Sequence, residues 1–558
     1  ISSGLILGDQ AGGSGTYNLS GTGSSLSSNF EYVGLDGNGT FTQSGGTHAI
    51  TNFLHVGRRS TGTFNLSGGS LSTDLEFVGH EGTGTFNQTG GTHTVTNELS
   101  LGGLSGGSGT YTISNGTLNV TGNIVDGAGA STFNNDGGTL NVGGTIDVDT
   151  YGLGITSGSN VSHTTATTPN LTFDNLNVGG AGTGAFTHSD GSTLSLTDLS
   201  LGIDSGGSGT YTISNGTLNV SGDVVNGAGT GTLNIDGGTV NAGTIGVDNL
   251  NIANSAGTNG SHTLGSGESI STGNETIGNS GTGTFTQTGG TNTVSNDLNI
   301  GNNSGSSGTY NLSAGTNTVS NSLVLGFSSG SNGTFNLSGT GNLDSSYVFV
   351  GREDTGIFTQ TGGTHSVSND LNIGINSGSS GTYNLSGGTN SVSNNLNIGI
   401  NSGSSGTYNL SGGTHSVSNN LQIGVHSGSS GTYTISGGTL NVNGNITDGA
   451  GASILNNDGG TLNVGGTIDV DTYGLGITSG SNVSHTTATT PNLTFDNLNV
   501  GGSGTGAFTH SDGSTLGLTD LRLGMNSGGS GTYTISNGTL NVSGSIVNGT
   551  GSSTLNID

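Results

Sequence analysis

The stretch GTYNLSGGTNSVSNNLNIGINSGSS, Gly381 to Ser405, decides the fold, because the chain repeats it almost letter for letter from Gly406 as GTYNLSGGTHSVSNNLQIGVHSGSS. Tyr383, Tyr408 and Tyr433 open copies 25 residues apart, a period typical of stacked repeats. Within one copy the apolar residues alternate: Tyr383 and Leu385, then Val392, then Leu396 and Ile398. That is strand periodicity. Gly387-Gly388, Asn394 and the segment INSGSS break the runs, so a copy reads as three short strands and three turns. Its five inward side chains cannot form a core alone, and each copy must be a rung covered by its neighbours. The fold expected is an all-β parallel β-solenoid, one continuous body over residues 1–558.

Working outward, the residue after Gly-Thr forms an anchor column: Tyr17, Phe41, Phe64, Phe86, Tyr111, Phe133, Phe186, Tyr211, Leu233, Leu264, Phe285, Tyr310, Phe335, Phe358, Tyr383, Tyr408, Tyr433, Leu455, Phe508, Tyr533 and Leu555. Gaps of double length follow Phe133 and Leu455. One hidden rung in each brings the total to about 23 rungs of 22–25 residues, a rod on the order of 110 Å at strand spacing. A longer period lies over the first. Asn134 to Gly180 is identical to Asn456 to Gly502, so residues 1–322 and 323–558 read as one superrepeat and most of a second. Both copies carry ITSGSNVSHTTATTPN, residues 155–170 and 477–492, with the chain's 2 prolines, Pro169 and Pro491. Proline cannot donate to a ladder, so this segment is expected to be a loop or edge excursion and a candidate lateral contact.

Composition excludes several functions. Of 558 residues 117 are Gly and 27% are hydrophobic; Lys and Arg together number 4, all of them arginine, against 33 acids, for a net charge of −29. Phosphate contacts need cations, which argues against nucleic acid and anionic lipid as partners. Cysteine is absent, which removes disulfides and thiolate chemistry. No apolar run approaches the roughly 20 residues of a membrane span. The long lysine-free Asn/Ser/Thr/Gly repeats point to an extracellular surface, and nothing implies a cofactor.

Two columns carry structural expectations. Asn52, Asn97, Asn296, Asn321, Asn369, Asn394 and Asn419 share the site before the third strand, where stacked amides are expected to hydrogen-bond along the axis. In the anchor column, Tyr follows a nine-residue step from the preceding glycine and Phe a seven-residue step, with Phe335 the exception. The ring is therefore read as inward, with the longer loop offering the phenol a carbonyl or water, since a buried hydroxyl needs a partner.

Candidate chemistry is sparse. Asp147/Asp149 and Asp469/Asp471 alternate with apolar residues in TIDVDTYG, which places each pair on the outer face about 7 Å apart. They are weak cation-site candidates, and carboxylates at that separation could also flank a glycosidic bond. A solvated face is the preferred reading. His48, His93, His365 and His415 in GGTH, exchanging with Asn292, Asn317 and Asn390, read as polar turn-edge positions. GGSGTYNLS (Gly12 to Ser20) approaches a calcium nonapeptide, but Tyr17 stands where the ligating Asp belongs.

The units [GT]GT-[FY]-x-[LIQ]-[ST]-GGT-x-x-V and L-x-[IL]-G resemble the autotransporter-associated β-strand repeats of large bacterial surface and secreted proteins, over nearly the whole chain. The resemblance implies a right-handed β-helix passenger serving as stalk, adhesin or fibre, without catalytic residues in its repeats. No membrane β-barrel translocator is recognisable within residues 1–558. The function expected is a non-catalytic extracellular fibre or rod that associates with itself end to end and laterally, with divalent cations or surface glycans as further partners. Neither end carries a recognisable cap, which predicts axial polymerisation or a window cut from a longer array. The alternatives are the stalk of a larger adhesin and, more distantly, a polysaccharide-active β-helix enzyme.

Overall fold

Alternating burial along Ser380–Leu385, Thr389–Val392 and Leu396–Ile398 makes these the three strands of one rung, each with its apolar side chains turned inward. They pair in parallel with the rung 25 residues on: Tyr383 with Tyr408, Asn390 with His415, Leu396 with Leu421. The computed structural model describes residues 3–165, 171–488 and 492–558, an all-β parallel β-solenoid of about 23 turns with no α-helix among them. It comprises two compact units, Ile1–Leu250 and Asn251–Asp558. The superrepeat boundary at 322/323 lies inside the second unit, within the strand Thr316–Leu325.

One corner of the rung is closed by glycine. A Cβ on Gly406 would stand 2.4 Å from the carbonyl oxygen of Ile373 and 2.5 Å from the nitrogen of Gly399. Those two atoms are hydrogen-bonded to each other at 2.8 Å, so the chain passes directly over a ladder bond with no room for a side chain. The same pair of backbone atoms, a carbonyl oxygen and a glycine nitrogen, stands against Gly381 and Gly431.

The double-length gaps are places where the columns change faces. Tyr111 pairs with Phe133, Phe133 with Tyr151, Tyr151 with Leu176 and Leu176 with Leu199. Third-strand residues thus come to stand on the first-strand column. The cause is the strand Ile146–Leu153, whose start lies on the third-strand residue Ile124 and whose end lies on Thr132 to Asn135. In the second unit Tyr433, Leu455, Tyr473, Leu498 and Leu521 repeat the exchange. A third exchange begins in the first unit, where Ile245 lies on Val224 and the Asp248 carboxylate accepts the Gly231 N–H at 2.9 Å.

Three expectations change here. The segment 155–170 is not wholly an excursion: Asn160–Thr164 is a regular strand in register with residues 183–187, because the first-strand column resumes there on a new face. Asn482–Thr486 does the same. Residues 166–170 and 489–491, with Pro169, Pro491 and much of the proposed lateral contact, lie outside the described residues. The hidden anchors are His163 and His485, which pair with Phe186 and Phe508. His262, not Leu264, is the anchor opposite Phe285, two residues earlier on the same face.

Candidate functional site: a buried aromatic and polar column

The anchor rings form face-to-face stacks inside the solenoid. In the first unit Phe41, Phe64, Phe86 and Tyr111 follow one another at centroid distances of 4.6, 4.8 and 4.6 Å. In the second, Phe358, Tyr383, Tyr408 and Tyr433 do so at 4.5, 4.8 and 4.7 Å. Parallel in-register strands make this geometry, since identical rungs place identical rings one strand spacing apart. Tyr310, Tyr383, Tyr408 and Tyr433 are fully buried, as are Leu396 and Ile398.

The expectation that the long loops offer the phenols a partner is not met: glutamine, histidine and asparagine side chains take that place. Tyr383 donates to Gln360 Oε1 at 2.7 Å, receives Asn390 Nδ2 at 2.7 Å and lies 3.0 Å from His365 Nδ1. Tyr111 donates to Gln88 at 2.6 Å beside His93 Nδ1 at 2.9 Å, and Tyr310 donates to Gln287 at 2.6 Å. Tyr211 and Tyr533 have His188 and His510 in the glutamine's place, at 3.0 and 3.3 Å. The glutamine amides turn the other way, to backbone carbonyls: Gln360 Nε2 to Thr389 O and Gln88 Nε2 to Thr117 O, both at 2.9 Å. Inside the rung a neighbouring side chain is nearer than the loop, so it takes the hydroxyl.

The GGT-[HN] column corrects the turn-edge reading outright. His48, His93, His365, His415, Asn292, Asn317 and Asn390 are all fully buried. His415 sits two residues from Val417 and shares its inward face. Burial keeps His365 and His415 uncharged by pushing each down to about 3. Opposite this column, three rungs carry glutamate where neighbouring rungs carry a core aliphatic residue such as Leu54, Leu99 or Leu298. Glu31 meets His48 Nε2 at 2.9 Å, Glu76 lies 2.9 Å from His93 Nε2, and Glu275 accepts Asn292 Nδ2 at 2.7 Å. With Asn292 neutral, burial pushes Glu275 up to about 7.

The glutamine and glutamate partners have no counterpart among the sequence expectations, yet two signals were present. Phe-x-Gln precedes a Tyr one rung later at Phe86/Gln88/Tyr111, Phe285/Gln287/Tyr310 and Phe358/Gln360/Tyr383. Glutamate in the third strand precedes His or Asn 17 residues on, at Glu31/His48, Glu76/His93 and Glu275/Asn292.

Tyr408 is the exception that tests the scheme. Leu385 replaces the glutamine beneath it, Asn390 is engaged with Tyr383, and its hydroxyl has no partner. Tyr383→Phe is expected to destabilise by about 1–3 kcal/mol, the cost of leaving buried amide groups unpaired. Tyr408→Phe, which removes only an unpaired polar group, is expected to be neutral or to stabilise by about 1 kcal/mol. Denaturation midpoints of the two variants check this, and effects of the same sign and size would contradict it.

The acid pairs also differ from expectation. Asp147 is exposed, but Asp149 is tied down at the face exchange: its carboxylate accepts the Ser131 N–H at 2.9 Å and its own N–H donates to Ser131 Oγ at 2.7 Å. Asp471 holds Ser453 in the same way, while Asp469 remains half-exposed. Ladder N–H groups freed by the exchange find these carboxylates the nearest acceptors. Asp448 is pushed up to about 6, first by burial and then by the charges of Asp469 and Asp471. Among the described residues no three His, Asp or Glu side chains converge to hold a metal ion.

The predicted amide ladder is only partly present in its column. Asn419 donates to Asn394 at 3.2 Å, but Asn394 turns to Asp370 and Asn369 to Ser346, both at 2.8 Å, because acid and hydroxyl acceptors interrupt the stack. Amide-to-amide bonds run instead through Asn384/Asn409, Asn372/Asn397 and Asn376/Asn401, at 2.9, 2.9 and 3.0 Å. The buried column thus joins donors and acceptors of successive rungs and leaves some, such as the Tyr408 hydroxyl, unpaired; it helps to fix register, because a slip of one residue turns every inward group outward. No protein-family model matches the chain, and neither a curated protein nor a solved structure matches it.

Proposed function

We propose that the chain is a non-catalytic structural element of an extracellular surface, a rod, stalk or fibre subunit that works through its stacked backbone and belongs with autotransporter-like passengers. The observation that carries this reading is an unslipped run of first strands in the second unit. From Asn259–Leu264 to Ala452–Asn457 each first strand pairs all 6 residues with the next. Hydrogen bonds aligned in this way resist extension together. A lysine-free, acidic, cysteine-free composition supports a surface location and solubility. The polysaccharide-enzyme alternative is weakened by the engagement of Asp149 and Asp471 with backbone N–H groups. Immunogold electron microscopy of intact source cells tests the reading. Label on thin projections outside the envelope is expected, and label confined to the cell interior would overturn it.

A further inference from the structure

In a chain with no cysteine, no tryptophan and a single methionine, tyrosine is the side chain that most readily surrenders an electron. Oxidation turns a phenol into a far stronger acid, so a buried tyrosine gives up an electron only where a base within hydrogen-bond reach takes its proton. In two places such a base also reaches the surface. His188 Nε2 stands 3.1 Å from both the carbonyl oxygen and the hydroxyl of Ser192, and that hydroxyl donates to Asp190 at 2.7 Å. Nε2 faces two acceptors and therefore carries the ring proton, which leaves Nδ1 bare. The Tyr211 hydroxyl, 3.0 Å away, donates to it.

The second unit builds the same line from Tyr533, His510, Ser514 and Asp512, with successive contacts of 3.3, 3.0 and 2.7 Å. Both tyrosines and both histidines are fully buried, whereas Asp190 and Asp512 are exposed and lie 3.6 and 3.4 Å from the imidazole Nε2. Burial, then the Asp190 charge, pushes Tyr211 well above the ordinary phenol range. Burial also holds His188 below its ordinary value, against the pull of Asp190 and the Ser192 carbonyl. The resting pair of the first unit is thus a neutral phenol on a neutral imidazole, with a carboxylate placed to face the imidazolium that proton transfer creates. Other buried tyrosines lack one part or another. Tyr111 and Tyr383 donate to glutamine, which is no base. Tyr433 has His415 at 2.8 Å, but His415 Nε2 has no partner, so a proton delivered there makes a buried, unpaired charge.

We propose that Tyr211–His188–Asp190 and Tyr533–His510–Asp512 are redox-active relays through which the chain gives single electrons to outer-sphere one-electron oxidants in the surrounding medium. The oxidant gains one electron and the tyrosine ring loses it. The phenolic O–H bond breaks, and its proton forms a new N–H bond at Nδ1 of the histidine. What remains is a neutral phenoxyl radical beside an imidazolium that faces the exposed carboxylate. A one-electron reductant restores the phenol, and the proton returns. The proposal goes beyond the reading of the chain as a surface rod and does not depend on it.

Photo-oxidation of the full chain by tris(bipyridyl)ruthenium(III), followed by freeze-trapped electron paramagnetic resonance, tests it. A neutral tyrosyl signal is expected, forming more slowly in heavy water because the proton moves with the electron. Tyr211→Phe with Tyr533→Phe is expected to remove most of that signal, and Tyr383→Phe with Tyr408→Phe to leave it in place. Asp190→Asn with Asp512→Asn, at exposed positions where the asparagine oxygen still accepts from the serine, is expected to slow its formation about tenfold through lost charge stabilisation. That variant gives a reading which no core substitution complicates. Absence of a tyrosyl signal, a signal that survives the first pair of substitutions or falls equally with the second, or formation unchanged in the asparagine variant would each overturn the proposal.

Discussion

Gly406→Ala is expected to cost about 3 kcal/mol or more, a large effect for a single methyl group. The added carbon would meet the Ile373 carbonyl oxygen at 2.4 Å and the Gly399 nitrogen at 2.5 Å. Neither neighbour is the free end of a flexible side chain. They are the two ends of a backbone hydrogen bond in the preceding rungs, so relief requires the ladder itself to open. In a solenoid each rung is stabilised by its two neighbours, and opening one interface removes contacts on both sides. Gly517→Ala is the matched control: it is exposed, and nothing lies within 4 Å of the new carbon. It is expected to change stability by less than about 0.5 kcal/mol. Chemical denaturation of both variants checks the contrast, and equal midpoints would contradict the close passage at that corner.

The second large effect is a pH dependence written into one rung of the second unit. Glu275 is fully buried and faces Asn292, and burial raises its carboxyl from the model-compound 4.5 to about 7. Because the folded value lies above the unfolded one, the folded state favours the protonated acid. The cost therefore begins as pH rises through the unfolded value and is complete above the folded one. Between about pH 4.5 and 7 the fold is expected to lose roughly 3 kcal/mol at this site. Glu275→Gln keeps an acceptor for Asn292 and removes the titration, so it should stabilise by roughly 3 kcal/mol at pH 8 and leave stability at pH 4 unchanged. Denaturation midpoints of the two proteins at both pH values read this directly. A variant that is destabilised equally at both would show that the carboxylate is paired in a way the Asn292 contact does not provide.

Much of the fold could be read from letters alone, and the reason is local. Tyr383, Leu385, Val392, Leu396 and Ile398 alternate within each run, and alternation is what a one-sided strand requires. The polar interior was harder. His415 and Val417 stand two apart in THSV, so the phase that buries one buries the other, but a histidine beside a Gly-Gly turn also satisfies turn chemistry. Only the residue above and the residue below decide between them: Tyr433 lies 2.8 Å from His415 Nδ1. Such pairing joins residues 18 apart and is invisible within one copy of the repeat.

The face exchange was illegible for another reason. Nothing in TIDVDTYG differs in kind from any other strand. What differs is length, since Ile146–Leu153 spans 8 residues where Leu396–Ile398 spans 3. A longer third strand reaches past its own column, and the next rung follows it. The carboxylates that looked like an outward pair are explained by the same event, because Asp149 caps the N–H that the exchange leaves at Ser131. The functional reading depends on these interior arrangements only through the register they enforce.

That register is the central claim, and disulfide trapping tests it most directly because the chain contains no cysteine. Thr382 and Thr407 are half-buried outward neighbours in paired strands, at a separation of about 5 Å that a disulfide spans. Thr382→Cys with Thr407→Cys should close an intramolecular disulfide on mild oxidation without loss of fold, and Thr382→Cys with Asn409→Cys, two residues out of register, should stay reduced. Closure of the second pair in preference to the first would contradict the stacking on which the account is built.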